Sequence, residues 1–520
     1  MVIEKQNYQN ILKNLKLGNP VAEYDDILQE ARVNTPIFQE FLAGDYDIVV
    51  GRKGAGKTAI FRIVGDELKD AMLIRSNKVI LTGVSSSGDT IFGQFKNSFE
   101  YYSEDDFENF WKIYLISLIY NDFLKNPDFE DYLKDCNKEI EVFKRTCSKA
   151  GIPNIPSRMT RHDIIASIVR ILPTKKVKRA QGQAGIDPNT GVMGATLTFD
   201  FFDKNAPDIR AAVTSVYVND IGVAFKGILD SCGLNMWIML DRLDEVFDRY
   251  SKVEFNGLRG LLKAYRSFDL GNPRQFSIKL FLRDDIKEFL TDDKIFKKYF
   301  KGSIPPFAAA SHIFAKSSPL LSWSMDEIEM LILNRLLVSG ELRQYLGMTA
   351  TNRDEIEKLL QTKEQRQVYW AKIFPEKINN MPSLSWIYTR LQDSNEIITP
   401  RTVIDLLTAA VSFQRQILQI NFEDSALIFP ENALKHGHVI ASKNKLVNEI
   451  YNEFPRTQGD IKKLIDGKGK LNKSELIKLY GDRWEDVVET LRLIGLFRLV
   501  PHSNDYMVEF LYRPALGIRL

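Results

Sequence analysis

Cysteine is scarce: three residues in 520, Cys136, Cys147 and Cys232, with no CxxC pair among them. An odd number at these spacings argues against a disulfide framework or a cysteine-held metal, and suits reduced thiols in a cytoplasm. Net charge is nearly missing too, at +2, so any grip on nucleic acid must come from local basic patches instead of a global field. Long apolar runs are absent. The opening MVIEKQNYQNILKNLKL lacks the unbroken apolar centre of a signal peptide, and the longest apolar-leaning segment, residues 114–120 (YLISLIY), falls far short of the ~20 residues that span a bilayer. What remains is 44% apolar and 27% charged, enough for several cores and, at this length, about two to four domains. The expectation is a cytoplasmic, multidomain protein without membrane association.

Glycine is concentrated where it matters. Residues 47–64 read DIVVGRKGAGKTAIFRIV. DIVV predicts a short buried strand, and Ile60, Phe61 and Val64 share one stripe of the helix that follows. Between them, Gly51, Arg52, Lys53, Gly54, Ala55, Gly56, Lys57 and Thr58 match G-x-x-x-x-G-K-[ST] without a mismatch. Glycines there let successive N–H groups encircle a phosphate at the positive end of a helix. This stretch, with Ala59, is the nucleotide-binding candidate: Lys57 reaches the β- and γ-phosphates of ATP and the Thr58 hydroxyl ligates Mg²⁺.

A phosphate loop needs a metal-holding carboxylate and a group that orients water. Residues 235–245 read NMWIMLDRLDE, an apolar run fit for a central parallel strand, followed at once by Asp241. That places Asp241 at a carboxyl edge, where open α/β sheets bind ligands, as a second Mg²⁺ candidate. Lys57 and Asp241 are expected to converge from two adjacent strand tips. The next strand pattern, residues 277–282 (SIKLFL), ends at Arg283, which either touches the γ-phosphate or is a plain surface arginine. In residues 396–410 (EIITPRTVIDLLTAA), Thr399 and Pro400 start a helix and leave Arg401 in its first turn. A cation there is disfavoured by the helix dipole and wants an anion, either nucleotide phosphate or Asp405 four residues on.

GRKGAGKTA, IMLDRLDE, KLFLRDD and TPRTVIDLL together resemble a bacterial branch of P-loop ATPases between the STAND/KAP group and the origin-recognition AAA+ group, over residues 45–411. The resemblance implies an ASCE-type parallel sheet, an α/β fold, and an ATP-driven switch that oligomerises. In AAA+ proteins a catalytic glutamate follows the Walker B aspartate directly; this chain has Arg242 there. The STAND- and KAP-like pattern moves the acids to Asp244 and Glu245, with Glu245 as water-orienting base and Asp244 as metal support or alternative base. The resemblance also casts Arg283 as sensor 1 and Arg401 as sensor 2. An arginine finger stays open among Arg259, Arg266, Arg274 and Arg283.

The expected organisation is an N-terminal helical segment at 1–44 packed beside the first strand, an ATPase core at 45–310, a helical lid at 311–440 and a winged-helix-like domain at 441–520. About 180 residues separate the two Walker motifs, too many for a loop, so a helical and β-hairpin insertion is expected at 85–230. In it, residues 175–179 (KKVKR) precede a hairpin with a turn at 187–191 (DPNTG), a stem that either grips DNA or a neighbouring subunit or is a solvated basic loop. The helix over 484–494 carries Glu485, Asp486 and Glu489 against Arg492, which weighs against DNA and toward protein docking. Three functions compete: an ATP-hydrolysing switch that controls its own oligomerisation and a client or effector, in antiviral or mobile-element defence; a DNA-binding loader or regulator; and a small-molecule phosphotransferase. A nucleotide sensor that does not hydrolyse is a variant of the first.

Overall fold

A computed structural model describes residues 5–83, 96–100, 102–149, 161–171, 177–186, 193–201, 209–243, 247, 249–268, 275–301, 303–304, 313–420 and 427–519. The chain divides into two compact units, one made of residues 40–50 and 64–319, the other of 1–39, 51–63 and 320–520.

The first of these carries the main sheet and the insertion. Its strands are β1 (Ile48–Gly51), β2 (Lys78–Thr82), β3 (Val177–Ile186), β4 (Met193–Phe201), β5 (Asn235–Leu240), β6 (Phe276–Arg283) and β7 (Ser317–Leu321), with the chain passing to the other unit at β1 and β7. Five of them form one sheet in the order β2-β5-β6-β1-β7. The β2–β5 and β5–β6 pairs are parallel, with Ile80 opposite Trp237 and Ile238 opposite Ile278. All of β6 and all but the first residue of β5 are buried, as apolar strands covered on both faces must be. The expected adjacency of the two motif strands is corrected here, because β6 lies between β1 and β5. Order along the chain does not constrain order across a parallel sheet, whose crossovers can insert a late strand between two earlier ones.

Helix Glu104–Leu118 starts at a capping box between Ser103 and Asp106 and packs on helix Lys252–Ser267. The backbones come close there: a Cβ on Gly260 would lie 2.5 Å from Phe107 Cβ, and Trp111 Nε1 donates to the Gly257 carbonyl at 2.8 Å. β3 and β4 pair antiparallel with Ile186 opposite Met193, the hairpin read from the sequence. Lys178 and Arg179 belong to β3 itself; Lys175, Lys176 and the turn at 187–191 lie outside the described residues.

The other unit is mainly helical. Helix Lys5–Asn14 packs on helix Pro400–Ile420, with the Tyr8 hydroxyl donating to the Ile428 carbonyl at 3.0 Å and Arg415 Nη2 to the Leu12 carbonyl at 2.6 Å. So of the N-terminal helices expected beside the first strand, this one belongs to the helical unit; helix Pro36–Ala43 instead sends Phe41 against Trp237 and Phe281 of the sheet. A short ribbon, β8 (Lys377–Ile378) with β9 (Met381–Pro382), precedes helix Ser383–Leu391. The C-terminal region runs helix Gln458–Lys462, β10 (Lys470–Leu471), helix Lys473–Tyr480, helix Trp484–Leu493, β11 (Phe497–Leu499) and β12 (Tyr506–Val508), with sheet order β10-β12-β11. Among the described residues no helix is long and apolar enough to cross a membrane.

Candidate functional site

The glycine loop runs from the last residue of β1 into helix Lys57–Arg62. Gly54 has φ +77° and Gly56 φ +107°, values that L side chains rarely adopt. Space is as tight as conformation: a Cβ at Gly51 would sit 3.0 Å from Leu321 Cβ, and one at Gly54 3.2 Å from Arg401 Cβ and 3.4 Å from Thr399 Oγ1. Lys57 is buried, and its ammonium turns back into the loop, donating to the Gly51 carbonyl at 2.8 Å and the Arg52 carbonyl at 2.9 Å. Thr58 and Ala59, in the first turn of the helix, are half-buried.

Residues far away in sequence hold this loop. Trp323 Nε1 donates to the Ala55 carbonyl at 2.8 Å, its ring edge lies 3.6 Å from where a Gly56 Cβ would be, and its own carbonyl accepts from the Tyr388 hydroxyl at 2.9 Å. Arg52 Nη1 pairs with Asp393 Oδ2 at 2.7 Å, and Lys53 Nζ with Glu453 Oε1 at 2.9 Å. Sequence reasoning missed Trp323, Asp393 and Glu453; the signal it had was two cations in the loop that ask for counter-charges. Arg401 stands in the first turn of helix Pro400–Ile420 and against Gly54, its Nε 3.4 Å from the Pro20 carbonyl and its Nη1 4.0 Å from Glu449. Asp405, the alternative partner, accepts from Asn444 Nδ2 at 3.1 Å, and burial pushes its carboxyl up to about 6. The Thr399 and Thr402 hydroxyls share a hydrogen bond of 2.9 Å at the helix start.

In the sheet unit, Asp241 is the first residue past β5 and 2% exposed, and Arg242 after it has φ +55°. Arg283 ends β6, the neighbouring strand, and donates from Nε and Nη2 to the Asp285 carboxylate at 3.0 and 2.9 Å, while Arg249 Nη2 donates to the same group at 2.6 Å. Burial alone would raise the Asp285 carboxyl; the two guanidinium charges outweigh it and hold it at about 2. Asp244 and Glu245 lie outside the described residues, as does Arg274. Arg259 is buried against Glu104 at 2.8 Å, committed within its own unit.

The donor set fits the group it is read for. Two left-handed glycines and a lysine at the first helical position are the features by which such a loop can present backbone N–H groups to a polyphosphate. The Thr58 hydroxyl, one position on, is a hard oxygen donor of the kind Mg²⁺ takes. Among the described residues there is no group of three or more His, Cys, Asp or Glu that could hold a metal ion.

No protein-family model matches the chain, and no curated protein does. Among solved structures it is similar to the Aeropyrum pernix ORC2 protein in its ADPNP–ADP complexes, at 10% identity over 94% of this chain and 95% of that one, with a TM-score of 0.40. It is also similar to the ADP form of the same protein, at 11% identity over 96% and 93% of the two chains, with a TM-score of 0.30.

Proposed function

We propose that the protein binds and hydrolyses ATP and that its nucleotide state switches its own oligomerisation and its hold on a client or effector protein, in the manner of the P-loop ATPases between the STAND/KAP and origin-recognition AAA+ groups that its motifs resemble. The observation that carries this is the geometry of residues 51–58, where Gly54 and Gly56 take left-handed φ and the buried Lys57 ammonium points into the loop. In this reading Lys57 exchanges the Gly51 and Arg52 carbonyls for β- and γ-phosphate oxygens. Thr58 and Asp241 supply oxygens to Mg²⁺, which neutralises charge on the triphosphate when bound. Glu245, or Asp244 in its place, takes a proton from the water that attacks the γ-phosphorus as the bond to ADP breaks. Arg401 and Arg283 stabilise the charge that spreads over the γ-phosphoryl oxygens.

Calorimetry with Mg-ATP tests the binding step, and phosphate release without any added acceptor tests the chemistry. Wild type is expected to bind and turn over; Lys57→Ala to lose binding; Glu245→Gln to bind and lose turnover, with Asp244→Asn showing which acid is the base. No heat with wild type overturns the proposal, and binding without phosphate release turns it toward a sensor or a phosphotransferase. Mass photometry without nucleotide, with ADP and with a non-hydrolysable analogue reads the switch.

A second reading, a DNA-binding ATPase, is favoured by the order of elements from 458 to 508, helix, β10, two helices, β11 and β12, which is that of a winged helix. It is opposed by helix Trp484–Leu493, which exposes Glu485, Asp486 and Glu489 where phosphates would lie. Absence of DNA binding at ~50 mM salt removes it.

A further inference from the structure

Three carboxylates face cations in or against the loop that is read as taking a polyanion. Glu449 and Glu453 stand four residues apart, hence on one face, where a π-helical turn Lys445–Ile450 runs into helix Tyr451–Glu453. Glu453 takes Lys53 at 2.9 Å; Glu449 takes Lys445 at 2.6 Å and faces Arg401 at 4.0 Å. The third, Asp393, takes Arg52 at 2.7 Å and is 9% exposed. All three belong to the same compact unit as the loop.

The C-terminal region is packed onto this charge cluster. A Cβ on Gly495 would lie 2.7 Å from Asp393 Oδ2, and the Ser394 N–H donates to the Gly495 carbonyl at 2.8 Å. Tyr512 is fully buried, and burial, with the charges of Asp393, Glu449 and Glu453, pushes its phenol well above the ordinary range. The π-helical turn at Lys445–Ile450 is one of three among the described residues, and such turns kink helices and are frequent at functional positions.

Resting on the nucleotide reading of residues 51–58, we infer that residues 445–453 and Asp393 form an electrostatic latch on the loop. A triphosphate in the loop and these carboxylates compete for the same cations, Arg52, Lys53 and Arg401. Binding of nucleotide draws the cations inward and loosens the segment that leads into the C-terminal region; closing of the latch lowers nucleotide affinity. The loop thereby reports its occupancy to residues 458–519 through charge alone.

The test uses the full chain. Glu453→Gln and Asp393→Asn keep side-chain shape and delete charge. Each is expected to bind ATP about five- to tenfold more tightly than wild type, as loss of a partly buried opposing charge predicts. The gap should narrow between 50 and 500 mM salt, an order-of-magnitude expectation from screening. Amide hydrogen exchange of residues 445–457 should speed up when nucleotide is added to wild type and be fast already in Glu453→Gln and in Lys53→Gln without it. Wild-type affinity in both acidic variants, or exchange at 445–457 that ignores nucleotide and both Lys53→Gln and Glu453→Gln, overturns the latch while leaving the nucleotide site intact. Failure of wild type and every variant to bind nucleotide overturns the site, and the latch with it.

Discussion

His438, in helix Glu431–Asn444, is fully buried, edge-on to Trp386 with ring centroids 5.6 Å apart. Burial pushes its imidazole down to about 4, and the charge of Arg390 acts in the same direction. Above pH 6.5 the group is neutral folded and unfolded and contributes nothing to pH dependence. Between 6.5 and 4 the unfolded chain takes up a proton that the folded chain refuses, so stability falls with falling pH, by roughly 3 kcal/mol over the whole window. Asp405 opposes this: its carboxyl, raised to about 6, keeps a proton between pH 3.8 and 6 that the unfolded chain releases, so its contribution falls as pH rises. Urea unfolding at half-unit steps from pH 4.5 to 7.5 should therefore give a shallower slope in His438→Gln than in wild type and a steeper one in Asp405→Asn. Identical slopes in all three would remove both assignments.

At the scale of elements, β1 is set in its sheet by a charge pair as well as by its apolar residues. Lys279 on β6, 1% exposed on its side chain, donates to Asp47 Oδ1 and to the Tyr46 carbonyl, both at 2.7 Å, and its ammonium lies 4.3 Å from the Trp237 ring centre. The other Asp47 oxygen accepts from the Tyr265 hydroxyl at 2.7 Å and pairs with Lys316 at 3.1 Å. Asp47→Ala strands a buried ammonium and should cost about 3 to 5 kcal/mol. Lys279→Met should cost less, since Asp47 keeps Lys316 and Tyr265, and the double variant should recover most of what Asp47→Ala loses. Urea midpoints of the four proteins check this, and additivity of the two single changes would show that the pair is not coupled. Lys279 was visible in the sequence as one cation inside the apolar run SIKLFL, and its partner was not. The same holds more widely. The strands β5 and β6, the β3–β4 hairpin and the glycine loop are written in short windows, as continuous apolar runs, alternation and a spacing of glycines, so they can be read locally. The insertion of β6 between β5 and β1, the docking of helix Lys5–Asn14 on helix Pro400–Ile420, and the pairing of Arg52 with Asp393, 341 residues away, are decided by tertiary packing, which no window contains.

Neither compact unit is a continuous piece of chain, and this has a consequence for the whole molecule. Residues 320–520 share their unit with 1–39 and 51–63. Arg335, which interrupts the apolar stripe of helix Met325–Leu336, is 4% exposed and donates to Asp25 Oδ2 at 2.6 Å and to the Leu17 carbonyl at 2.7 Å. Arg415 donates to the carbonyls of Leu12 and Leu15, and Tyr8 to that of Ile428. A fragment of residues 320–520 would keep both arginines and lose every one of these N-terminal acceptors. Stranding the buried Arg335 charge alone costs about 3 to 5 kcal/mol, against the 5 to 15 kcal/mol that typically separate a folded domain from its unfolded state. The fragment is therefore expected to lack a cooperative thermal transition by circular dichroism. The unit should remain folded but destabilised by a similar amount in full-length Asp25→Ala and in Arg335→Met, which strands the equally buried Asp25 carboxylate, while the double variant, which removes both charges, should recover much of that loss. A fragment that melts as sharply as the intact chain would mean that the N-terminal residues decorate a self-sufficient helical domain, and that the ion pair between Asp25 and Arg335 contributes little to holding it together.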